Sequence, residues 1–383
     1  MRKAAVLNWL VYKFVKRRRK LGPFVRWQIG IYKADRLGDF VLSVGAIRAI
    51  VERSGESNCV IFHSAASSQA ASREFPNVAR IEIPPLDGRL WITCRRLRKM
   101  IEEEMGLGGV GQLICLRHFR ALFDEVALQM IPASRVWCIR NSSTSSRAYE
   151  LVRKRFEGDI ITERPNQKLN GDICEDLMCH ERLLDAWAGV SHLKRDIRPK
   201  IGFASPQPEG SLALAPFGSG RIRDLPLEGV AACVIHAKLS LGLVAVLLSP
   251  PEEIPRYEAF ARELANKGAV VGIRVTRSYD ELVNRIASSS AILTTETATA
   301  HIATAMDCPM VCVIGGGHFG LFGPWRQSAR QQWLTNSVPC FNCNWHCIHR
   351  EPICITNVQA SRLILALEQV LKSNPAVHIQ ANA

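Results

Sequence analysis

The chain has 383 residues, 47% of them hydrophobic, and a formal net charge of +14. That length suits two domains with sizeable cores, and 26 glycines and 19 prolines exclude a collagen-like or low-complexity chain. The positive charge predicts anionic partners, but no RNP-like, zinc-finger or helix-turn-helix signature points to nucleic acid. The 13 cysteines, many in apolar runs (Cys59, Cys115, Cys138, Cys233, Cys312), read as reduced thiols of a cytoplasmic protein, and no apolar run is long enough to span a membrane.

Residues 1–26 hold nine Lys or Arg and no acid. Ala4–Val15 is apolar and aromatic, and Lys16–Lys20 is wholly basic. The order is wrong for a secretory signal, which puts its charges first. It fits a basic amphipathic helix lying on an anionic membrane, with Trp9, Tyr12 and Phe14 as anchors. Packing on the protein itself, or a frayed tail, is the alternative.

Trp27–Ala34 alternates as a first strand, and Phe40–Val51 presents an apolar face at helical spacing. Asp39, in the turn between them, is either a helix N-cap or a carboxylate aimed into a cleft, where it can act as a general base. Further elements alternate: strand Cys59–His63, helix Ser68–Phe75, strand Ala79–Ile83, basic helix Arg89–Met105, strand Gln112–Leu116, helix Arg120–Met130 and strand Arg135–Ile139. Such alternation predicts a mostly parallel sheet with helices on both faces. Asn141–Ser146 and residues 157–170 read as polar loops, Asp172–Val190 as a helix, and Ser191–Ser205 as an interdomain linker.

A second array follows. Strand Ser211–Ala215 runs into Gly218-Ser219-Gly220 and then Arg221 and Arg223. Backbone N–H groups and guanidinium forks in that order suit a phosphate clamp; the alternative is an ordinary surface loop. Helix Glu228–Leu239, strand Leu243–Leu248, helix Ile254–Lys267, strand Ala269–Ile273 and helix Tyr279–Ala287 come next. Ala291–Leu293 then reads as a buried strand, Thr294 to Thr299 as a polar turn, Ala298–Met306 as a helix, and Pro309–Ile314 as a second buried strand closed by Gly315, Gly316 and Gly317. A helix N-terminus at the carboxyl end of a parallel strand attracts phosphate. Those glycines would leave room beside it for a bulky group.

Three stretches together resemble glycosyltransferase family nine, the bacterial lipopolysaccharide heptosyltransferases. Arg36-Leu37-Gly38-Asp39 before an apolar helix is similar to the first motif. Gly218-Ser219-Gly220 with Arg221, Arg223 and Pro226 is similar to the second, and Thr295-Glu296-Thr297-Ala298-Thr299-Ala300-His301 to the third. The resemblance covers roughly residues 28–371. It implies an α/β protein of GT-B fold, with two facing Rossmann-like domains and a cleft between them. The domains would be the arm 1–26, an acceptor-side domain 27–200, and a nucleotide-sugar-binding domain 201–383 that includes the Cys-rich segment 340–354.

By the same resemblance the chain inverts configuration and needs no cofactor for catalysis. Asp39 is the general base. Gly218, Ser219, Arg221, Arg223, Glu252, Glu296, Thr297, Ala298, Thr299 and His301 bind a nucleotide-sugar donor, typically ADP-heptose. The acceptor is a lipid-linked anionic glycan at the inner face of the cell membrane. Glu296 stands for the usual Asp, Ala298 for Gly, Arg223 for Lys and Leu225 for Trp, which leaves transfer intact and the donor open. Other readings are another GT-B transferase, a nucleotide-sugar epimerase, or a non-catalytic scaffold that binds sugar nucleotide.

Near the end, Cys340, Cys343, Cys347 and Cys354 fall in a C-x2-C-x3-C-x6-C pattern with His346 and His349 between. Four thiolates at that spacing can hold a structural zinc, expected far from catalysis. Three thiolates plus a His would also serve, and an iron–sulfur cluster or a reduced Cys-rich loop is the alternative. Asn357–Lys372 is a last amphipathic helix, which in GT-B proteins often returns to the N-terminal domain.

Overall fold

The computed structural model describes residues 24–85, 90–139, 173–190, 196–203, 209–326 and 328–373. The apolar-basic arm, the loops at 141–146 and 157–170 and much of the linker lie outside them. Tertiary contacts divide the chain into two units, changing over at Arg198–Pro199, with 173–175 siding with the second.

The first unit holds β1 (Phe24–Lys33), α1 (Leu37–Ser54), β2 (Cys59–His63), α2 (Ser68–Glu74), β3 (Ala79–Glu82), α3 (Leu90–Met105), β4 (Gly108–Cys115), α4 (Leu122–Met130) and β5 (Ala133–Cys138). Helix α5 (Glu175–Ala188) packs here too. All strand pairs are parallel, in the order β3-β2-β1-β4-β5. Strands such as CVIFH are buried at every position, as a sheet covered on both faces requires. Helix α1 passes close to residues 197 and 198, and only a glycine fits at Gly45: a β-carbon there would stand 1.9 Å from the Ile197 carbonyl oxygen.

The second unit holds β6 (Ser211–Ala215), α6 (Leu227–Leu241), β7 (Val244–Ser249), α7 (Ile254–Asn266), β8 (Gly272–Val275), α8 (Tyr279–Ser288), β9 (Ala291–Thr295), α9 (Ala298–Ala305), β10 (Met310–Val313), β11 (Gln331–Leu334), α10 (Ile353–Thr356) and α11 (Ala360–Lys372). Its sheet is parallel in the order β11-β10-β9-β6-β7-β8. Read from β8, that is the order of a dinucleotide-binding Rossmann sheet, with its direction of winding reversing between β6 and β9.

Several boundaries differ from the sequence reading for identifiable reasons. Strand β8 starts three residues late because Gly268, at φ 81°, closes α7 and the Ala269 N–H donates to the Leu264 carbonyl. Thr294 and Thr295 belong to β9 and not to a turn. Their hydroxyls donate to the Ala215 and Val313 carbonyls, which lets two polar residues lie fully inside a sheet. Strand β11 was not foreseen; its two glutamines hide an edge strand that pairs Gln331–Leu334 with Met310–Val313. The last helix belongs to the second unit. Leu363, Ala366, Leu367, Val370 and Leu371 of α11 complete the second unit's core beside Val230, Leu293 and Val311. No described helix is long and apolar enough to cross a membrane.

Candidate active site

In the second unit the predicted donor residues gather where β6 and β9 end. Ala215 pairs with Thr294, so the two strands deliver their loops at the same level. After β6 the chain turns through Gly218 into a single helical turn, Arg221–Arg223. The turn is pinned by Asp224, which accepts the Gly218 N–H at 3.1 Å and pairs with Arg256 of α7. Gly218 has to be glycine, since a β-carbon would lie 2.6 Å from Cβ of Arg223. Arg221 and Ser219 are exposed, and Arg223 is half-buried, pointing back at β9.

Arg223 Nη1 donates to Glu296 Oε2 at 3.2 Å. The other carboxylate oxygen, Oε1, lies 3.1 Å from His301 Nε2. Trp325 Nε1 donates to His301 Nδ1 at 3.2 Å. An indole N–H can only donate, so His301 Nδ1 accepts and the ring proton sits on Nε2, facing Glu296. A neutral imidazole therefore completes a chain from Trp325 through His301 and Glu296 to Arg223. Burial disfavours charge on Glu296, but the hydrogen bond from His301 and the nearby Arg223 guanidinium outweigh it and hold its pKa below the usual glutamate value. Glu296 is 5% and His301 2% exposed, so His301 is committed at both nitrogens to holding Glu296 rather than lying open to a phosphate.

Thr297 is the N-cap of α9 but supplies no side-chain cap; its hydroxyl donates to the Thr295 carbonyl instead. The first-turn N–H groups at Ala298 and Thr299 are thus left for an acceptor from outside the helix. Glu252 is exposed in the turn after β7. The glycines after β10 do not make the room expected of them. A β-carbon on Gly315 or Gly317 would meet the Trp345 ring at 2.4 or 2.7 Å, and one on Gly316 would meet Phe341 at 2.4 Å. Both aromatics belong to the Cys-rich segment, which accordingly is not remote: Trp345 lies 5.6 Å from the Arg223 guanidinium and 5.4 Å from the His318 ring.

In the first unit Asp39 is not the cap of α1. It is the third helical residue, half-buried, behind an N-cap Arg36 that makes no side-chain cap. The positive end of the helix dipole suits a carboxylate there. Beneath it lies a buried ionic cluster that sequence reasoning missed. Lys33, at 1% exposure, binds the Leu116 carbonyl and Asp35, both at 2.9 Å, and Arg117 holds Asp35 from the other side at 2.8 Å. Arg117 also pairs with Asp124, which Tyr32 caps at 2.9 Å. Burial disfavours charge on Lys33, yet the negative charges of Asp35, Asp176 and Asp39 raise its pKa above the ordinary lysine value. Asp176 is fully buried, 3.2 Å from His118 and 3.7 Å from His180. Its desolvation is overcome by His180, Lys33 and His118, which hold it ionised. The cluster fixes residues 33–36 and hence the start of α1. Lysine as the last residue of an otherwise apolar strand was the available signal.

Two parallel Rossmann-like sheets of this kind are the architecture of the GT-B fold. The description of glycosyltransferase family 9 (heptosyltransferase) matches residues 232–349, a stretch that holds the third of the three motifs, Thr295 to His301. No protein of curated function matches the chain by sequence. Among solved structures, a family 9 glycosyltransferase from Veillonella parvula is 13% identical with a TM-score of 0.69, over 93% of this chain and 100% of that one. The E. coli ADP-heptose lipopolysaccharide heptosyltransferase II is 15% identical with a TM-score of 0.61, over 90% and 99%. The E. coli heptosyltransferase WaaC, bound to ADP-2-deoxy-2-fluoro heptose, is 13% identical with a TM-score of 0.62, also over 90% and 99%.

Proposed function

We propose that the protein is an inverting glycosyltransferase that moves a sugar, a heptose in the first instance, from a nucleotide diphosphate to a hydroxyl of a lipopolysaccharide core or similar cell-surface glycan. The observation that carries this is the Arg223–Glu296–His301–Trp325 chain at the switch point of the second sheet, beside the uncapped start of α9. A buried carboxylate, locked at both oxygens, suits the hydroxyls of a sugar. The guanidinium next to it suits the diphosphate that the sugar leaves behind.

Asp39 takes the proton of the acceptor hydroxyl while that oxygen bonds to the anomeric carbon. The bond from that carbon to the diphosphate breaks in the same step, so the sugar inverts. Charge growing on the leaving group meets Arg223, Arg221 and the N–H groups of Ala298 and Thr299, an arrangement that stabilises the transition state more than the ground state. Gly218 and Ser219 line the diphosphate side, and Glu252 the nucleoside side. No metal touches the reacting atoms in this reading. The basic arm and the exposed face of α3, with Arg95, Arg96, Arg98 and Lys99, suit a lipid-linked anionic acceptor at the inner face of the membrane.

The test is a panel of nucleotide sugars assayed for diphosphate release with and without a glycan acceptor. Asp39→Asn should lower transfer on the order of 10²–10⁴-fold while leaving donor affinity within about twofold. A chain that binds donor tightly yet turns nothing over with any acceptor would be a scaffold and not a transferase.

A further inference from the structure

Ten of the 13 cysteines are buried, and the three partly exposed ones, Cys340, Cys343 and Cys347, sit in one loop. They do not face apart. With Cys354, His349, Ile222, Gly316, Gly317 and Trp345 they line a single cavity of about 10 Å³, room for roughly one ion-sized or water-sized centre. Cys347 Sγ lies 3.8 Å from the Glu351 carbonyl. Between these thiols the backbone takes left-handed turns at Asn342, Asn344 and Trp345, with φ of 66°, 47° and 63°. For a tryptophan that conformation is strained and persists only where the surroundings impose it.

Among the described residues no three potential ligands already stand in ligating geometry. A cysteine has one χ1 torsion, however, and thiols that share so small a cavity can converge by rotation of that torsion alone. An all-sulfur set of four favours zinc or ferrous iron over the hard cations.

We propose that Cys340, Cys343, Cys347 and Cys354 bind one soft divalent ion, and that the ion-closed loop holds Trp345 against Gly315, Gly317 and the Arg223 guanidinium. Four thiols give up four protons to solvent as four metal–sulfur bonds form, with no change of oxidation state. Ligation fixes the loop from outside the sheet. The Trp345 ring then fills the space the glycines leave and backs the arginine of the donor site. The inference does not rest on the transfer reaction and can be tested without it.

The full chain is expressed with zinc and iron both supplied, purified reduced, and analysed for metal. About one ion per chain is expected, colourless if zinc and with thiolate-to-iron charge-transfer bands if iron. A mercurial reagent should release it in step with the loss of four thiols. Stripping by chelator and adding back zinc or ferrous ion should reversibly shift tryptophan fluorescence. Cys343→Ser combined with Cys354→Ser should lower the content at least about fivefold, while His349→Ala retains it. Should the double variant not fold, the mercurial and add-back arms decide on the unaltered chain. Less than about a tenth of an ion per chain with no uptake on add-back, or metal undiminished in a folded double variant, would overturn the proposal.

Discussion

Glu296 shows how a single residue is tuned by its neighbours. Buried carboxylates ordinarily rise in pKa, and this one falls because of the hydrogen bond from His301 and the nearby Arg223 guanidinium. A depressed folded-state pKa stabilises the native state fully above the unfolded glutamate value of 4.5, and that stabilisation is lost as pH falls through the folded value. Urea denaturation at about pH 7 and about pH 4 should therefore show a larger drop for the wild type than for Glu296→Gln, which has no proton to take up there. Equal drops would mean that Glu296 is not the charged partner of Arg223. Lys33 makes the complementary case in the first unit. Lys33→Met leaves Asp35 with Arg117 alone and Asp176 with only His118 and His180 and should cost about 3 kcal/mol by chemical denaturation. A loss under about 1 kcal/mol would show the cluster to be hydrated rather than dry.

At the scale of elements, the alternation of apolar runs with helical periodicity was legible because parallel strands are buried on both faces and leave little ambiguity. Ser211–Ala215 and Cys59–His63 have the same ends by sequence and by structure. What the chain concealed are features decided by contacts remote in sequence. Thr294 and Thr295 look like a turn until the carbonyls of β6 and β10 receive their hydroxyls. Gly315 to Gly317 look like open space until Trp345 and Phe341, some 25 to 30 residues on, are found filling it. Gly45 looks like a weak point in a helix, and is instead where α1 admits the backbone of residue 197. Gly45→Ala, harmless by helix propensity, should destabilise the first unit by about 3 kcal/mol, read as a lower melting temperature with native-like circular dichroism at low temperature. Unchanged melting would mean that residues 197 and 198 leave that groove in solution.

At the scale of the whole molecule, the sequence motifs fall in both units: Asp39 on α1 of the first, and Arg223 and Glu296 after β6 and β9 of the second. The residues that hold them in place carry no motif. Trp325 acts through one hydrogen bond and Asp224 through two, whose partners only the fold supplies. Arg256 reaches Asp224 from another helix while its guanidinium lies 3.9 Å from the Phe217 ring. Because the residues proposed to bind the donor all lie in one unit, donor binding should stabilise that unit selectively. A nucleotide sugar at about 100 times its Kd adds about 2.7 kcal/mol to whatever binds it, on the order of 5–10 °C for a unit of this size. If the two units melt as separate steps in calorimetry of the full chain, ADP-heptose should raise one step and leave the other in place. Asp39→Asn should keep that shift, whereas Arg223→Ala should remove most of it, since in the proposed reaction the guanidinium meets the diphosphate and Asp39 only the acceptor. A shift that survives Arg223→Ala and disappears with Asp39→Asn would put the nucleotide on the first sheet and reverse the roles assigned to the two units.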